Sequence, residues 1–474
     1  MRFMIRQLPR FRSEVSSSQF SGGAGCPAGE EVSRRGAGAQ RGTVELVLLL
    51  VLGPRGWSVG GDAGFLLSTS TALRAEYGYE GGAGSKNELS TGTAPGGLFS
   101  GMPKAAVKFV PQLATLPVYV PGRPIEEVAR EHGLDPSTIL KVASNENPLG
   151  PSPKAVAAMR GVLDQLHLYP DGSSYHLKRA LASKLTVEPD QLLLGNGSNE
   201  VLEMIGHAFL EPGAEVVVSQ YCFAVYPIVT ALFGAKLVTV PAREDLGADI
   251  PAMLQAITPA TRVLFLANPN NPTGNLATRE EISILLAGVP PHVLLVLDEA
   301  YIEFLDDPVD CLSLVRSGVQ PNVLLVRTFS KIFGLAGLRL GYGIGAPDVI
   351  AAIEKTREPF NINSIAQAGA LAALEDTEHL AKTRMVNRVG LAQLQVGFRQ
   401  LGLSYVPTQA NFVLVKVGNG QQVFASMQKE GVITRPTGGY GLGEWLRISV
   451  GTEAENQRSL ETLARALGRS LTVK

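Results

Sequence analysis

The residues best suited to chemistry cluster in one stretch, Thr328-Phe-Ser-Lys-Ile-Phe-Gly-Leu-Ala-Gly-Leu-Arg339. Lys331 supplies an amine that can form an imine with an aldehyde. Ser330 beside it supplies a hydroxyl, and Arg339 a planar, permanently charged fork. Both suit a phosphate. Taken alone, the same residues could equally be a surface Lys and Arg at a strand end. The decision rests on what else the chain brings to that place.

Four further strings bear on it. Gly195-Asn-Gly-Ser-Asn-Glu200 leads from an apolar run into the helix-periodic Val201-Leu-Glu-Met-Ile205. Small residues at a helix start offer free N–H groups and the positive dipole end, an anion site. The string is neither a Walker loop nor GxGxxG, and Ser198 or Asn199 could also be an ordinary cap. Phe223, after Glu215–Val218, is either a core residue or an aromatic that stacks on a flat ring. In Asn268-Pro-Asn-Asn-Pro-Thr-Gly274 two prolines and a glycine fix a turn, holding Asn271 where it can donate to a phenolic oxygen. Asp298-Glu-Ala-Tyr301 follows the apolar Val293–Leu297. A carboxylate ending such a strand needs a cation to offset its desolvation, and a protonated pyridine nitrogen is one. Tyr301 could reach the oxygen on that ring or an imine formed by Lys331, while a lone Asp-x-x-Tyr could also be a capping Asp and a core Tyr. Anion loop, aromatic, Asn, Asp–Tyr, Ser–Lys and Arg follow one another on successive strands. That ordered set specifies an aldehyde, a phosphate and a pyridine on one molecule, which is pyridoxal 5'-phosphate.

The elements that must position these groups are legible as short aliphatic runs separated by helix-length segments. The runs are Gln191–Leu194, Glu215–Val218, Lys236–Val240, Arg262–Leu266, Val293–Leu297, Val323–Val326 and Leu338–Gly343. Seven nearly continuous apolar strands imply an α/β layer with a mostly parallel sheet covered on both faces. In such sheets ligand groups gather at the carboxyl ends of strands. Before them, Pro111–Arg123 reads as extended, Ile125–His132 as a short amphipathic helix stopped by Gly133, and Lys141–Pro153 as an extended polar entry. After residue 358 the pattern predicts a long helix from Ile365 to about Gly402. Strands follow at Leu403–Val406, Phe412–Val417, Val432–Arg435 and Leu446–Val450, with helices near Gln421–Glu430 and over Glu453–Leu467. The expected division is residues 1–104 as a disordered or spurious extension, 105–143 as an N-terminal arm, 144–357 as a large cofactor-binding domain and 358–474 as a small α/β domain.

Composition narrows the class. A chain of 474 residues exceeds one ordinary core. Apolar content of 45% and a formal net charge of −1 give no bulk electrostatic reason to seek nucleic acid or an anionic membrane. Cys26, Cys222 and Cys311 are scattered, which argues for a reducing, cytoplasmic setting. No His or Cys spacing suggests a metal. Residues 1–101 hold 20 of the 52 glycines, so little packed structure is expected there. Their basic start is not followed directly by an apolar stretch, and the run Leu46–Leu52 is too short to span a bilayer. Met102 is a plausible true start.

From about residue 105 onward the chain resembles the class I/II pyridoxal-phosphate aminotransferases of fold type I, most closely their histidinol-phosphate aminotransferase branch. The strings that carry the resemblance include Asn145-Glu-Asn-Pro, Tyr169-Pro-Asp-Gly, Gly195-Asn-Gly-Ser-Asn-Glu, Asn270-Asn-Pro-Thr-Gly, Asp298-Glu-Ala-Tyr-Ile-Glu-Phe304 and the Ser330–Lys331 stretch. Pro359-Phe-Asn-Ile-Asn-Ser364, Arg435-Pro-Thr-Gly-Gly-Tyr-Gly-Leu and Leu446-Arg-Ile-Ser-Val-Gly-Thr452 complete them. The resemblance implies that Lys331 holds the cofactor covalently and then serves as base and acid. Asp298 would meet the ring nitrogen, Asn271 and Tyr301 the ring hydroxyl oxygen, and Phe223, in place of the usual Tyr, would stack on the ring. Ser198, Asn199, Ser330 and Arg339 would hold the phosphate, with Tyr169 reaching the cofactor phosphate of a neighbouring subunit in a homodimer. Arg435, Arg447, Asn145 and Asn361 would face the substrate. The implied partners are histidinol phosphate with imidazole acetol phosphate and glutamate with 2-oxoglutarate. An aromatic amino acid aminotransferase shares the scaffold, as does threonine-phosphate decarboxylase. An aminotransferase-like transcription regulator would need an N-terminal winged helix, which residues 1–101 do not suggest.

Overall fold

The computed structural model describes residues 108–114, 116 and 121–471. The expected extension over 1–104, its basic start and the start at Met102 lie outside the described residues.

Strand β1 (Leu140–Lys141) precedes the main sheet. That sheet is built from β2 (Leu192–Gly195), β3 (Glu215–Ser219), β4 (Lys236–Val240), β5 (Thr261–Ala267), β6 (Leu294–Asp298), β7 (Val323–Thr328) and β8 (Gly341–Ile344). Their order is β2-β8-β7-β6-β5-β3-β4. Strand β8 runs antiparallel to both β7 and β2, and the remaining pairs are parallel. The two reversals cancel, so β2 points the same way as β7. Its carboxyl end therefore reaches the same sheet edge as those of β3, β5, β6 and β7.

The continuous apolar runs are explained by cover on both faces. Every residue of β2, β3, β6 and β8 is buried. Alternate residues enter two different cores. Leu264, Leu266, Leu295 and Leu297 pack on one face, and Val263, Phe265, Leu294 and Val296 on the other. Each such side chain contributes about 1.5–3 kcal/mol of burial. Strand β4, at the sheet edge, is partly open to solvent.

A second body holds β9 (Phe412–Lys416), β10 (Val432–Ile433), β11 (Arg435–Thr437) and β12 (Leu442–Ser449). Strands β11-β12-β9 form an antiparallel sheet, and β10 pairs parallel with β1. Its core takes in Val128, Ala129 and residues 139–140 and 142–143. Much of the segment expected as an arm is thus packed into the C-terminal body. The helix Ile125–His132 ends, as its sequence implies, on Gly133 in the left-handed conformation at φ 64°.

Three local expectations are corrected. The long helix divides into Ser364–Glu375 and Thr377–Gln400, because Asp376 leaves helical geometry and its carboxylate accepts from the His379 N–H as a cap. Residues 403–406 form only a bridge, Tyr405 to Val415, and the stretch from Pro111 begins with a 3-10 turn through Ala114. Among the described residues no helix is long and apolar enough to cross a membrane.

Candidate active site

The carboxyl ends of β2, β3, β5, β6 and β7 open on a cavity of about 400 Å3. Asp298, the last residue of β6, is 5% exposed on its floor. Its Oδ2 accepts from the Tyr226 hydroxyl at 2.8 Å and its Oδ1 from the Ala300 N–H at 3.1 Å. Burial pushes the carboxyl up to about 6, and these two donors work against the rise.

Lys331 lies just past β7 and lines the same cavity. Its Nζ donates to the Ser144 carbonyl at 3.1 Å and sits 5.8 Å from the centre of the Tyr301 ring. Burial, and then the charge of Arg447, lower its amine to about 8. Relative to an ordinary lysine, that raises the neutral, nucleophilic fraction at neutral pH roughly a few hundredfold. The Tyr301 hydroxyl accepts from Asn145 Nδ2 at 2.9 Å, and burial pushes its phenol up to about 12. Asn145 is held in the left-handed region at φ 55°. Its N–H donates to Ser449 Oγ at 2.8 Å and its carbonyl accepts from Asn411 Nδ2 at 2.9 Å. It lines the cavity with its amide already engaged.

At one end the helix Ser198–Phe209 presents its N-terminus, preceded by Gly197 at φ 82°. Ser198, Asn199, Ser330 and Arg339 line this part of the wall. The Arg339 guanidinium lies so close over Gly197 that a Cβ there would collide with it. A flexible glycine, open N–H groups and a charged fork make an anion cradle. Phe223 is on the wall too, edge-on to Tyr226 with ring centres 5.8 Å apart.

The opposite rim carries two cations. Arg435 and Arg447 are register partners across β11 and β12, so their side chains leave the same face of that sheet. Both line the cavity. Arg447, 7% exposed, donates to the Ala143 carbonyl at 2.7 Å and to Asn271 Oδ1, and its guanidinium lies 5.4 Å from the centre of the Phe412 ring. An Asn271 Oδ1 that accepts from Arg447 leaves the NH2 as the donor end of that amide, which is what a phenolic oxygen requires.

Two expected residues stand outside the cavity lining. Tyr169 is 82% exposed and stacks on Phe360 with ring centres 4.8 Å apart. Asn361 is held by contacts within the chain. Phe360, at φ 58°, turns the chain, and Asn361 donates to Glu200 Oε2 at 2.7 Å while accepting from Arg357 at 2.9 Å. It fastens the first turn of the helix Ser198–Phe209. Sequence reasoning missed Tyr226, Ser449 and the Glu299–Arg327 ion pair of 2.8 Å. The pairing of Asp298 with Val326 puts Glu299 beside Arg327 one residue on, but nothing in the sequence states that register.

The donor set fits pyridoxal phosphate: a buried carboxylate for the ring nitrogen, an amine lowered by burial, and a separate phosphate cradle. The model of the family aminotransferase class I and II matches residues 137–463. The chain is 52% identical over 352 residues to a histidinol-phosphate aminotransferase of Akkermansia muciniphila, covering 74% of this chain and 96% of that one. It is 51% identical over 363 residues to histidinol-phosphate aminotransferase 2 of Pseudomonas fluorescens, covering 76% and 97%. The crystal structure of histidinol-phosphate aminotransferase from Sinorhizobium meliloti in complex with pyridoxal-5'-phosphate is similar at a TM-score of 0.69 and 31% identity, covering 76% and 98%. Similarity of this extent, over the same residues that build the cavity, places the chain in the class I and II aminotransferases, as a transaminase dependent on pyridoxal phosphate.

Proposed function

We propose that the chain transfers the amino group between L-histidinol phosphate and 2-oxoglutarate, forming imidazole acetol phosphate and L-glutamate, and that it runs in the reverse direction in L-histidine biosynthesis. The observation that carries the substrate is the pair Arg435 and Arg447, matched across β11 and β12 and both lining the cavity that holds Lys331. The cofactor phosphate has its own receptor at the helix N-terminus, Ser330 and Arg339. The two guanidinium groups of Arg435 and Arg447 therefore suit a second anion. A substrate phosphate fits both; the α-carboxylate of glutamate fits the fork of Arg447. The names of the Akkermansia and Pseudomonas relatives support the same substrate.

Bound pyridoxal phosphate supplies a carbonyl that takes up the substrate amine and a ring that draws electrons from the substrate carbon. Lys331 would hold the cofactor through its amine until the substrate amine takes its place. Its freed Nζ would then serve as the base and acid that moves the proton at the amine-bearing carbon. Asp298 would keep the ring nitrogen positively charged. Asn271 and Tyr301 would hold the ring oxygen, and Phe223 would pack against the ring. Ser198, Asn199, Ser330 and Arg339 would anchor the phosphate, so that the cofactor is held independently of Lys331.

The working form is a homodimer. Leu163, Leu166 and Leu168 are exposed beside Tyr169 and Phe360, an apolar surface that a second copy would cover. In that arrangement Tyr169 reaches the partner's cofactor phosphate. Cys222 and Cys311 are buried and unpaired, in keeping with a reducing, cytoplasmic setting. The test is a coupled assay of the full-length protein with 2-oxoglutarate, comparing histidinol phosphate with phenylalanine. Higher kcat/KM for histidinol phosphate is expected; higher kcat/KM for phenylalanine would replace this reading with an aromatic aminotransferase.

A further inference from the structure

Tyr226 lies in the helix Val225–Leu232, outside every string that pointed to the site, and is 1% exposed. Its ring stacks on Phe265 of β5 with centres 4.5 Å apart and planes 6° from parallel. That stack fixes the direction of the hydroxyl, which donates to Asp298 Oδ2 at 2.8 Å. Tyr226 does not line the cavity, whereas Asp298 does. We propose that Tyr226 is a positioning residue that keeps Asp298 ionised and aimed at the ring nitrogen of the cofactor.

The physical case rests on what the carboxylate needs. An ionised carboxylate has about four lone-pair sites on its two oxygens. Tyr226 takes one on Oδ2 and the Ala300 N–H takes one on Oδ1, so each oxygen is gripped from the protein side. The remaining lone pairs are available to the cavity. A phenol held by a ring stack is a donor already in place, and it need not reorient when the ring nitrogen gains its proton. A charge-assisted hydrogen bond also favours the charged form of a group that burial disfavours. The other ionisable groups facing Asp298 are Glu299 on the same strand end, Tyr301 three residues on, and Lys331 beyond β7. Of these Lys331 favours the carboxylate and Glu299 opposes it, while Tyr226 donates to it directly.

The proposal rests on the assignment of Asp298 to the ring nitrogen, and the experiment separates the two. Tyr226→Phe keeps the ring and its stack and removes only the hydroxyl. The full-length apoenzyme is reconstituted with pyridoxal phosphate and with its deaza analogue, in which carbon replaces the ring nitrogen. Affinity for pyridoxal phosphate should fall about tenfold in the variant. Affinity for the analogue, which offers Asp298 no partner, should change less than about twofold by the same reasoning. The absorbance of bound pyridoxal phosphate should titrate at higher pH in the variant, because a ring less firmly charged draws electrons less strongly. Equal losses with both cofactors and an unmoved titration would leave Tyr226 a packing residue and overturn the proposal. Asp298→Asn is the control. If it keeps wild-type discrimination between the two cofactors, the Asp298 assignment itself fails. If it loses discrimination and Tyr226→Phe does not, only the role of Tyr226 fails. Should Tyr226→Phe fold poorly, Phe265→Leu leaves the hydroxyl but removes the stack that aims it. A smaller loss of the same selectivity is then expected, and no loss of selectivity would overturn the proposal.

Discussion

Arg435→Gln should separate substrate recognition from everything else in the site. Arg435 is half-buried at the cavity rim and lies across the strand pair from Arg447. Glutamine keeps most of the stem, and the position is not in either main core. Stability should therefore stay within about 1 kcal/mol of the parent. What is lost is one guanidinium on a phosphate, and a hydrogen bond to a charged group is worth about 1.5–3 kcal/mol. That predicts a fall in kcat/KM for histidinol phosphate of about 10- to 150-fold. Glutamate, held by Arg447 through its α-carboxylate, should lose much less, about threefold or under by the same arithmetic. The assay is stopped-flow absorbance of the bound cofactor, with each amino donor used alone so that the two half-reactions are read independently. A thermal melt checks the fold. Equal losses for both donors, or a large drop in melting temperature with no change in selectivity, would refute the phosphate role of Arg435.

Lys331→Ala should abolish turnover and the visible absorbance of covalently held cofactor; a variant with full activity would sink the scheme. Gly197→Ala should weaken cofactor retention about tenfold and cost about 1–2 kcal/mol of stability. It forces a side chain into φ 82° and against Arg339. Titrating activity with added cofactor and melting the apoenzyme measure the two effects separately. Capture of pyridoxal phosphate by the apoenzyme should quicken as pH rises toward and level off above about 8, since only the neutral Lys331 amine attacks and its buried value is about 8. The same lowering has a stability sign. From about 8 to 10.5 the unfolded chain binds more protons at this lysine than the folded one, so the apoenzyme gains stability with rising pH across that window. A capture rate flat from pH 6 to 9 would contradict the assignment.

Most of the cavity lining was legible in the sequence because its members sit at the ends of apolar strands or in loops whose Pro and Gly content fixes their shape. Asp298 ends β6, and Asn271 and Lys331 come within four residues of the ends of β5 and β7, so strand recognition alone brought them to one edge. The contacts of Tyr226 and Asn361 were not legible, for a common reason. Both act through contacts that span long sequence separations, 72 residues from Tyr226 to Asp298 and 161 from Asn361 to Glu200. Tyr226 reads as one more apolar position on a core helix until the stack on Phe265 shows where its hydroxyl points. Asn361 lay in a string tied to the site by resemblance, and only the turn at Phe360 reveals that it faces Glu200. The broken helix at Asp376 was missed because helical periodicity on both sides masks a single capping residue. The cross-strand match of Arg435 with Arg447 depends on the β11–β12 register, which has a bulge between Pro436 and Thr437.

The most direct test of the proposed activity compares histidinol phosphate with unphosphorylated histidinol as amino donors for the full-length enzyme. The two share the imidazole and the reacting amine and differ only in the anion that Arg435 and Arg447 are proposed to bind. A preference of about a hundredfold or more in kcat/KM for the phosphorylated donor is predicted, the equivalent of roughly 3 kcal/mol of transition-state binding. A ratio near one would mean that the two arginines do not read a substrate phosphate, and would contradict the proposed function.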